Sequence, residues 1–255
     1  MTTDAILSKL TTRAIGRRLH IFDTLPSTSD EIKTLAEQNA PHGTTVIAHH
    51  QSAGRGRRGR SFYSPEGDGI YMSILLSGPI PAKDSGRITC AAAVAVARAI
   101  EALTPASVQI KWVNDLLING KKLSGILTEG KLDPDSGMLD YAVLGIGINL
   151  STADFPPELQ AIATSLKMAT GVAPDPDTLV AEILNRLEPV LHESSTVFLE
   201  EYRRRSAVLG KTVTVFRGAE TFSARAVAID DTGALLVETE TGTCALSSGE
   251  VSVRL

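Results

Sequence analysis

The stretch KWVNDLLINGKKLSGILTE, residues Lys111–Glu129, decides the fold class of this chain. The Asn119-Gly120 pair within it is a strong signal for a hairpin turn. Very short links join three apolar or β-branched runs in this region: Val108–Trp112, Leu116–Asn119 and Leu123–Glu129. Because consecutive hairpins join antiparallel strands, the stretch predicts a largely antiparallel sheet rather than a doubly wound parallel one.

On either side of this stretch, the chain divides into a mixed body and a β-rich tail. Body strands are predicted at Thr44–His50, Ile70–Ser77 and Tyr141–Leu150, and helices at Asp30–Gln38, Gly86–Leu103 and, in one or two pieces, Thr178–Arg205. Five short tail strands separated by turns predict a small barrel: Lys211–Phe216, Phe222–Ile229, Ala234–Glu238, Thr243–Leu246 and, after a Ser248-Gly249 turn, Val251–Val253. We therefore expect an α+β protein with a large domain over residues 1–208 and a small β-barrel domain over residues 209–255.

Composition and charge limit the classes of function. With 255 residues, 43% of them hydrophobic, the chain can bury a substantial core. The net charge of −4 argues against a general nucleic-acid-binding surface. Cys90 and Cys244 are too far apart in sequence to suggest a disulfide scaffold or a zinc site, so we expect a reducing, cytoplasmic environment. No targeting segment or membrane span is predicted.

Residues Gln51–Phe62, QSAGRGRRGRSF, carry the strongest functional signal. Seven consecutive residues hold four arginines and three glycines: Gly54, Arg55, Gly56, Arg57, Arg58, Gly59 and Arg60. Repulsion among the arginines and the freedom of glycine predict a loop that stays mobile until an anion neutralises it. We favour a phosphate-binding loop over an ordinary solvated one.

Other uses of a glycine-rich basic loop fit less well. Gly54, Gly56 and Gly59 match the spacing of a dinucleotide fingerprint, but the following SFYSPEGDGIY cannot form the helix that this fingerprint requires. No Gly-Lys-Ser/Thr follows, which excludes a P-loop. A nucleic-acid-binding Arg-Gly segment stays open as an alternative, although the acidic remainder of the chain argues against it.

Lys111, Asn114, Asp115 and Lys122 place polar groups on otherwise apolar strands. Such groups can bind phosphates and magnesium. An Asn-Asp turn and a solvated hairpin tip explain them at least equally well.

Two further segments carry weaker signals. Gly145 and Gly147, in the apolar run YAVLGIGINL, indicate either the close approach of a ligand or tight packing. Thr28 and Glu31 predict a capping box at the start of the first predicted helix, and a helix N-terminus is also a natural polar binding site.

Taken together and in this order, these segments resemble the biotin protein ligases. The resemblance rests on GRGRRGR followed by Ser61-Phe62, on KWVNDLLINGKKLSG and on GIGIN, and extends from about Arg17 through the tail. It implies a class II synthetase-like catalytic domain followed by an SH3-like barrel. It also implies that ATP, with Mg²⁺, activates biotin to biotinyl-5′-adenylate, and that biotin then passes to one lysine of the biotin carboxyl carrier protein or domain of a carboxylase such as acetyl-CoA carboxylase.

The resemblance also implies roles for individual residues. Those expected to bind biotin are Ser27, Thr28, Ser29, Gln51, Arg55, Gly56, Arg57, Lys122, Gly125, Gly145 and Gly147. Those expected to bind ATP or the adenylate are Gly54, Arg57, Arg58, Arg60, Phe62, Lys111, Asn114, Lys122 and Asn149. The expected catalytic residues are Lys122, Arg57 and Asp115, with Lys122 the first choice; no metal ligand is assigned.

The chain departs from the family pattern at two positions. Ser29 stands where the family commonly has Asn, which shortens a hydrogen-bonding side chain, and Val113 stands where it commonly has Pro. Only about twenty residues precede His20, too few for the helix-turn-helix domain of some members, so we expect no DNA partner. A homodimer, or carrier docking through an exposed sheet edge, is left open.

Two rival functions are compatible with the same residues. A lipoate-protein ligase shares the fold and the adenylate chemistry, although the Arg-Gly loop followed by Lys-Trp-x-Asn-Asp favours biotin. A non-catalytic module would bind a nucleotide or nucleic acid through the loop alone. The presence of Lys122 and Asp115 argues against this second rival.

Overall fold

A seven-stranded sheet forms the body of the protein in the computed structural model, which describes residues 1–247 and 251–254. Its order is β1-β2-β3-β7-β6-β5-β4, with bounds β1 Leu19–Leu25, β2 Thr45–Gln51, β3 Gly69–Pro81, β4 Gln109–Lys111, β5 Asp115–Ile118, β6 Lys121–Leu132 and β7 Met138–Asn149. Among the pairs described, β1–β2 is parallel and the others are antiparallel. The predicted largely antiparallel sheet is confirmed.

The turn between β5 and β6 forms as its sequence predicts. Asn119 and Gly120 have φ angles of 51° and 76°. A two-residue type I′ turn needs positive φ at both central positions, which Asn and Gly tolerate better than other residues. This turn places β6 beside β5, and the other edge of β6 pairs with β7, where Gly125 lies opposite Gly147.

Helices cover both faces of the sheet. Their bounds are α1 Thr3–Leu7, α2 Thr28–Glu37, α3 Ser85–Leu103, α4 Pro157–Gln160, α5 Leu166–Thr170, α6 Pro176–His192 and α7 Ser195–Arg204. The alanine-rich α3 is buried along most of its length and packs against α6, α7 and β6. On the opposite face, Ile32 of α2 packs with Val46, Leu75 and Val143. The predicted helix at 178–205 is thus two helices, α6 and α7. No helix among the described residues is long and apolar enough to cross a membrane.

The start of α2 differs from the prediction. Its N-cap is Ser27, whose Oγ accepts a hydrogen bond from Ser29 N at 3.2 Å. The predicted capping box between Thr28 and Glu31 is wrong, because the Thr28 hydroxyl is directed to Gln51 rather than to the helix backbone. Ser27 therefore caps the helix, and the Thr28 hydroxyl forms hydrogen bonds with Gln51 and Ser73 inside the protein.

The tail forms a five-stranded antiparallel sheet in the order β11-β10-β9-β8-β12. Its strands are β8 Thr212–Arg217, β9 Glu220–Ile229, β10 Leu235–Thr239, β11 Gly242–Leu246 and β12 Val251–Arg254. These are the five strands predicted; the Ser248-Gly249 turn lies outside the described residues. Val213, Val215 and Leu235 belong to the same hydrophobic cluster as the body. The domain boundary near Leu209 stays a prediction.

Candidate active site

Four separate segments converge on one cavity of about 150 Å³. They are the start of α2, the arginine loop after β2, the β4–β5 turn with the start of β6, and the middle of β7. Its lining includes Ser27, Thr28, Ser29, Gln51, Arg55, Gly56, Arg57, Arg58, Arg60, Phe62, Lys111, Asn114, Asp115, Lys122, Gly125, Gly145 and Gly147. These are all the residues predicted for the site except Gly54 and Asn149.

The two exceptions lie next to the cavity rather than in its wall. Gly54 is buried under the loop, and its carbonyl oxygen accepts a hydrogen bond from Phe62 N at 2.9 Å. Asn149 donates from Nδ2 to Thr164 O at 3.1 Å and lines a neighbouring cavity of about 80 Å³. Lys122 and Phe62 line both cavities, so the two spaces adjoin.

One end of the cavity is a row of hydroxyl and amide groups. Thr28 N and Thr28 Oγ1 donate to Gln51 Oε1 at 2.8 and 3.1 Å. Gln51 Nε2 donates to Ser64 Oγ at 3.1 Å, which fixes the orientation of the amide. This end suits a ligand that carries both donors and acceptors.

The opposite end carries the Lys122–Asp115 ion pair. Lys122 Nζ lies 2.6 Å from Asp115 Oδ1 and 5.8 Å from the centroid of the Phe62 ring. The two polar side chains come from β5 and β6, whose hairpin places them side by side. A lysine held by a carboxylate beside an aromatic ring can receive an anion without a large rearrangement.

Arg57 is the arginine of the loop that reaches furthest into the interior. Burial holds the pKa of its guanidinium below the ordinary value, against the opposing effect of Asp115. Its Nη1 donates to Asn114 Oδ1 at 3.3 Å, and Asn114 Nδ2 donates to Ile126 O at 2.9 Å. A partly desolvated cation in this position interacts with a phosphate more strongly than an exposed one would.

The other arginines of the loop contact different parts of the molecule. Arg55 forms an ion pair with Asp30 of α2, and its Nη2 lies 3.8 Å from Glu129 Oε1. Lys33 Nζ lies 3.1 Å from the same Glu129 oxygen. Arg58 Nη1 donates to Phe216 O of the C-terminal sheet at 3.4 Å. The loop therefore contacts α2, β6 and the C-terminal sheet.

The glycines of the site leave space for larger groups. A Cβ on Gly147 would lie 2.6 Å from Phe62 Cε1, and one on Gly125 would lie 3.3 Å from Lys122 Nζ. A Cβ on Gly145 would lie 3.1 Å from Ser29 Oγ. All three glycines thus allow side chains of the site to pack directly against the sheet, which is the tight-packing alternative, and they also line the cavity. The close approach of a ligand to them stays a prediction.

Two buried residues that the sequence analysis missed support the site. Ser73 on β3 is fully buried and contacts both Thr28 and Ser29. Trp112 donates from Nε1 to Gly233 O of the C-terminal domain at 2.9 Å. Ser73 could have been singled out, because it is a polar residue inside the apolar run IYMSILLS. The contact of Trp112 could not, because its partner Gly233 lies 121 residues further along the chain.

The second departure from the family pattern is also buried. Val113 is 1% exposed, and its carbonyl oxygen accepts a hydrogen bond from Tyr202 Oη at 2.8 Å. The Trp112–Val113 peptide bond is cis. Helix α7 thus holds the turn that carries Asn114 and Asp115.

A metal ion would find few protein ligands here. Within residues 1–247, no group of three or more His, Cys, Asp or Glu side chains could hold one. Asp115 supplies one carboxylate. That donor set fits Mg²⁺ bound mainly through substrate phosphates and water.

The combination of fold and site defines a class of protein. A cavity with hydrogen-bonding groups at one end, and with lysine and arginine cations at the other, can hold an acid and a nucleotide together while their negative charges meet. This is the arrangement of a ligase that activates a carboxylic acid with a nucleotide.

Comparison with known proteins identifies the family. Residues 21–149 match the biotin/lipoate A/B protein ligase family, and residues 208–254 match the biotin protein ligase C-terminal domain. The chain therefore belongs to the biotin/lipoate A/B protein ligase family, among its biotin protein ligases.

Individual relatives are similar over nearly the whole chain. The bifunctional ligase/repressor BirA of Bacillus subtilis is 38% identical over 250 residues, 96% of this chain and 76% of the relative. The biotin–[acetyl-CoA-carboxylase] ligase of Mycobacterium tuberculosis is 32% identical, covering 92% of this chain and 88% of the relative. The structure of biotin protein ligase from Aquifex aeolicus in complex with biotin and ATP superposes with a TM-score of 0.80 at 30% identity, covering 93% of this chain and 99% of that one.

Proposed function

We propose that this protein joins biotin to ATP to form biotinyl-5′-adenylate and then transfers biotin to a lysine of a carboxylase carrier domain. The observation that carries the proposal is the position of the Lys122–Asp115 pair, 2.6 Å apart, in a cavity whose other end is the Thr28–Gln51 row. One end recognises a polar ring and the other neutralises anions.

In the first step, a biotin carboxylate oxygen attacks the α-phosphorus of ATP. The bond from that phosphorus to the bridging oxygen breaks, and pyrophosphate leaves. We assign Lys122, which lines the cavity, to hold the carboxylate and an α-phosphate oxygen together, and Arg57 to add a second, partly buried cation. These charges offset the repulsion between two anions, which is the main obstacle to the reaction. We assign the rest of the phosphate end to Lys111, Asn114, Arg58 and Arg60, and contacts with the adenine to Phe62 and Asn149.

In the second step, the amine of the carrier lysine attacks the acyl carbon of the mixed anhydride. The bond between that carbon and the phosphate oxygen breaks, AMP leaves, and the amine loses a proton. Asp115 is the carboxylate at this end of the cavity and is the group we assign to receive that proton. Mg²⁺, where present, would neutralise phosphate charge in the first step and would be held mainly through substrate phosphates and water.

The carrier domain would dock at an open sheet edge beside the cavity. β5 pairs with β6 only as far as Gly125, and Asn114 occupies the next position by accepting from Ile126 N at 2.9 Å. Residues 127–132 of β6 have no further neighbour among the described strands. Such an edge can accept a strand from the carrier domain or from a second copy of this chain. We further propose a cytoplasmic location.

A specific observation favours biotin over lipoate. The Thr28–Gln51 row offers hydrogen bonds at the end of the cavity, and the ureido ring of biotin can use them, whereas the dithiolane ring of lipoate cannot. Leaving buried polar groups unpaired would penalise lipoate strongly.

Transfer to a carrier domain tests the proposal. Incubating the protein with Mg·ATP, an apo carrier domain and either biotin or lipoate should give a biotinyl mass increase with biotin and none with lipoate. Lipoylation instead would assign the chain to the sister activity. No modification with either acid, from folded protein, would contradict the proposed function.

A further inference from the structure

A buried serine connects the hydroxyl groups at the biotin end of the cavity. Ser73 Oγ on β3 lies 2.8 Å from Thr28 Oγ1 and 3.0 Å from Ser29 Oγ. Ser73 itself is 0% exposed and does not line the cavity, whereas Thr28 and Ser29 do. Any effect of Ser73 on a ligand must therefore pass through those two side chains.

The hydrogen bonds of this group can run in only one direction. Gln51 Oε1 accepts from Thr28 N, so it faces Thr28 as an acceptor, and the Thr28 hydroxyl must donate its single hydrogen to it. Ser73 then has to donate to Thr28 Oγ1, since otherwise two lone pairs would face each other. By the same reasoning, Ser29 has to donate to Ser73 Oγ.

This direction determines what the cavity offers to a ligand. The hydroxyl hydrogens of Thr28 and Ser29 are both donated to other side chains of the protein. Both oxygens therefore offer only lone pairs, as acceptors, to a ligand in the cavity. Ser27 Oγ accepts from Ser29 N, and its own hydrogen is used in none of the hydrogen bonds of the described residues. Gln51 Nε2 likewise has a second hydrogen beyond the one it gives to Ser64. The wall therefore combines acceptors at 28 and 29 with donors at 27 and 51.

We infer that Ser73 is a positioning residue that fixes this donor and acceptor pattern and so selects a cyclic urea, whose two N–H donors flank one carbonyl acceptor. The inference rests on the proposed function, because it concerns recognition of the biotin ring. Without the Ser73 oxygen, Ser29 loses its internal acceptor and turns its hydrogen toward the ligand. That hydrogen would meet a ring N–H, and two donors cannot pair.

The same pattern accounts for a serine at position 29. Its short side chain reaches Ser73, and Gly145, opposite Ser73 in the sheet, leaves room because a Cβ there would lie 3.1 Å from Ser29 Oγ. A serine hydroxyl can donate inward and accept outward at once. Ser29 and Ser73 together thus supply an acceptor to the cavity.

Binding of biotin and of a cyclic carbamate analogue, in which one ring N–H is replaced by oxygen, tests the inference. The intact protein should prefer biotin by about a hundredfold or more, because the analogue places an acceptor against an acceptor. Ser73→Ala should weaken biotin binding about tenfold and reduce the preference at least about fivefold, with the KM for ATP changed less than about twofold. Calorimetry gives the affinities, and pyrophosphate release gives the KM values.

Two variants separate polarity from packing. Ser73→Cys keeps nearly the same volume but replaces the hydroxyl with a weak donor and acceptor, so it should also lose preference for biotin. It also serves if Ser73→Ala fails to fold. Ser77→Ala on the same strand is the matched control and should behave like the parent protein. An unchanged preference in both Ser73 variants, or equal losses for biotin and ATP, would overturn the inference alone. Parent protein that binds no biotin would overturn the proposed function along with it.

Discussion

At the scale of single residues, Phe62 connects the glycines of the sheet to the reacting end of the cavity. Its ring fills the space above Gly147, where a Cβ would be 2.6 Å from Cε1, and lies next to Gly125. Lys122 Nζ lies 5.8 Å from the ring centroid. The position of the ring thus depends on the absence of a side chain at 147 and in turn shapes the surroundings of Lys122.

We predict that Gly147→Ala lowers kcat/KM for biotin-dependent pyrophosphate release about tenfold, because the methyl group displaces the Phe62 ring. Phe62→Ala should cause a loss of similar size. The double variant should then lose little more than either single variant, since both changes remove the same contact. Fully additive losses would show that Gly147 acts on the site independently of Phe62.

The sequence indicated many residues of the site but not the residues that they contact. Charge and glycine clusters drew attention to three segments of the chain, and the family resemblance then implied which individual residues form the site. Their partners could not be predicted. Arg55 pairs with Asp30, and the cap of α2 moved from Thr28 to Ser27, because side chains distant in sequence compete for the same hydrogen bonds.

At the scale of elements, the arginine loop is folded by its own backbone. Gly56 N donates to Arg60 O at 2.7 Å, and Phe62 N donates to Gly54 O at 2.9 Å. The Arg55–Asp30 ion pair ties this small hairpin to α2. Four arginines in so short a segment still repel one another, and mobility before ligand binding stays a prediction.

Limited trypsin digestion tests that mobility. Cleavage after Arg58 and Arg60, both exposed, should slow several-fold when biotin and ATP are added, because bound anions neutralise and order the loop. Cleavage after exposed Lys131 serves as the internal control and should not change. Asp30→Asn should speed cleavage of the loop without ligand, since Arg55 loses its nearer carboxylate partner and keeps only the more distant Glu129. Equal rates with and without both substrates would refute ligand-induced ordering.

Elements with strong local signals were predicted from the sequence. The Asn-Gly hairpin, the alanine-rich α3 and the five strands of the tail all form where expected. β1 was missed because it is only partly buried, so its residues lack the clear alternation of a half-buried strand. It pairs with β2, and α2 separates the two strands in sequence, so no local pattern indicates this pairing.

At the scale of the whole molecule, an ion cluster holds α7 and the residues that follow it against α3. Glu201 bonds Arg98 Nη2 of α3 and Arg205 Nη2, both at 2.7 Å, and Arg205 Nη1 bonds Glu101 at 2.7 Å. Next to the cluster, Ala207 N donates to Ile110 O of β4 at 2.8 Å. The residues that follow α7 therefore hold β4, the strand that ends at Lys111, in place.

This cluster predicts a loss of stability in acid. Burial opposes the charge of Glu201, but hydrogen bonds from Arg98 and Arg205 outweigh it and hold the pKa of this carboxyl below its ordinary value of 4.5. A lowered pKa stabilises the fold fully above the ordinary value, and that stabilisation disappears as pH falls through the folded value. Glu201→Gln should cost about 1–3 kcal/mol at pH 7 and progressively less below pH 4.5.

Urea unfolding as a function of pH measures this effect. Glu200→Gln, at the exposed neighbouring position, is the matched control and should follow the parent protein. A difference between Glu201→Gln and the parent that stays constant down to pH 3 would show that the carboxylate charge is not responsible.

Contacts between distant parts of the chain were beyond the sequence. Trp112 and Gly233 lie 121 residues apart, and their hydrogen bond joins the β4–β5 turn to the turn between β9 and β10. The largely antiparallel sheet was predictable because short links make β4, β5 and β6 consecutive hairpins. The pairing of β3 with β7 joins strands distant in sequence, and no local pattern indicates it. The contact between the C-terminal domain and the site could not be predicted from the sequence, because no local pattern encodes contacts between such distant residues.

Biotin-dependent release of pyrophosphate from Mg·ATP tests the central claim most directly. Lys122→Ala should reduce the rate at least about a hundredfold, because it removes the cation that brings carboxylate and α-phosphate together. Lys121→Ala is the matched control at the adjacent, exposed position and should retain nearly the full rate. Release that depends on biotin and is lost only in Lys122→Ala would support adenylation at this cavity. Undiminished release in folded Lys122→Ala would contradict the assignment of Lys122 to the reaction.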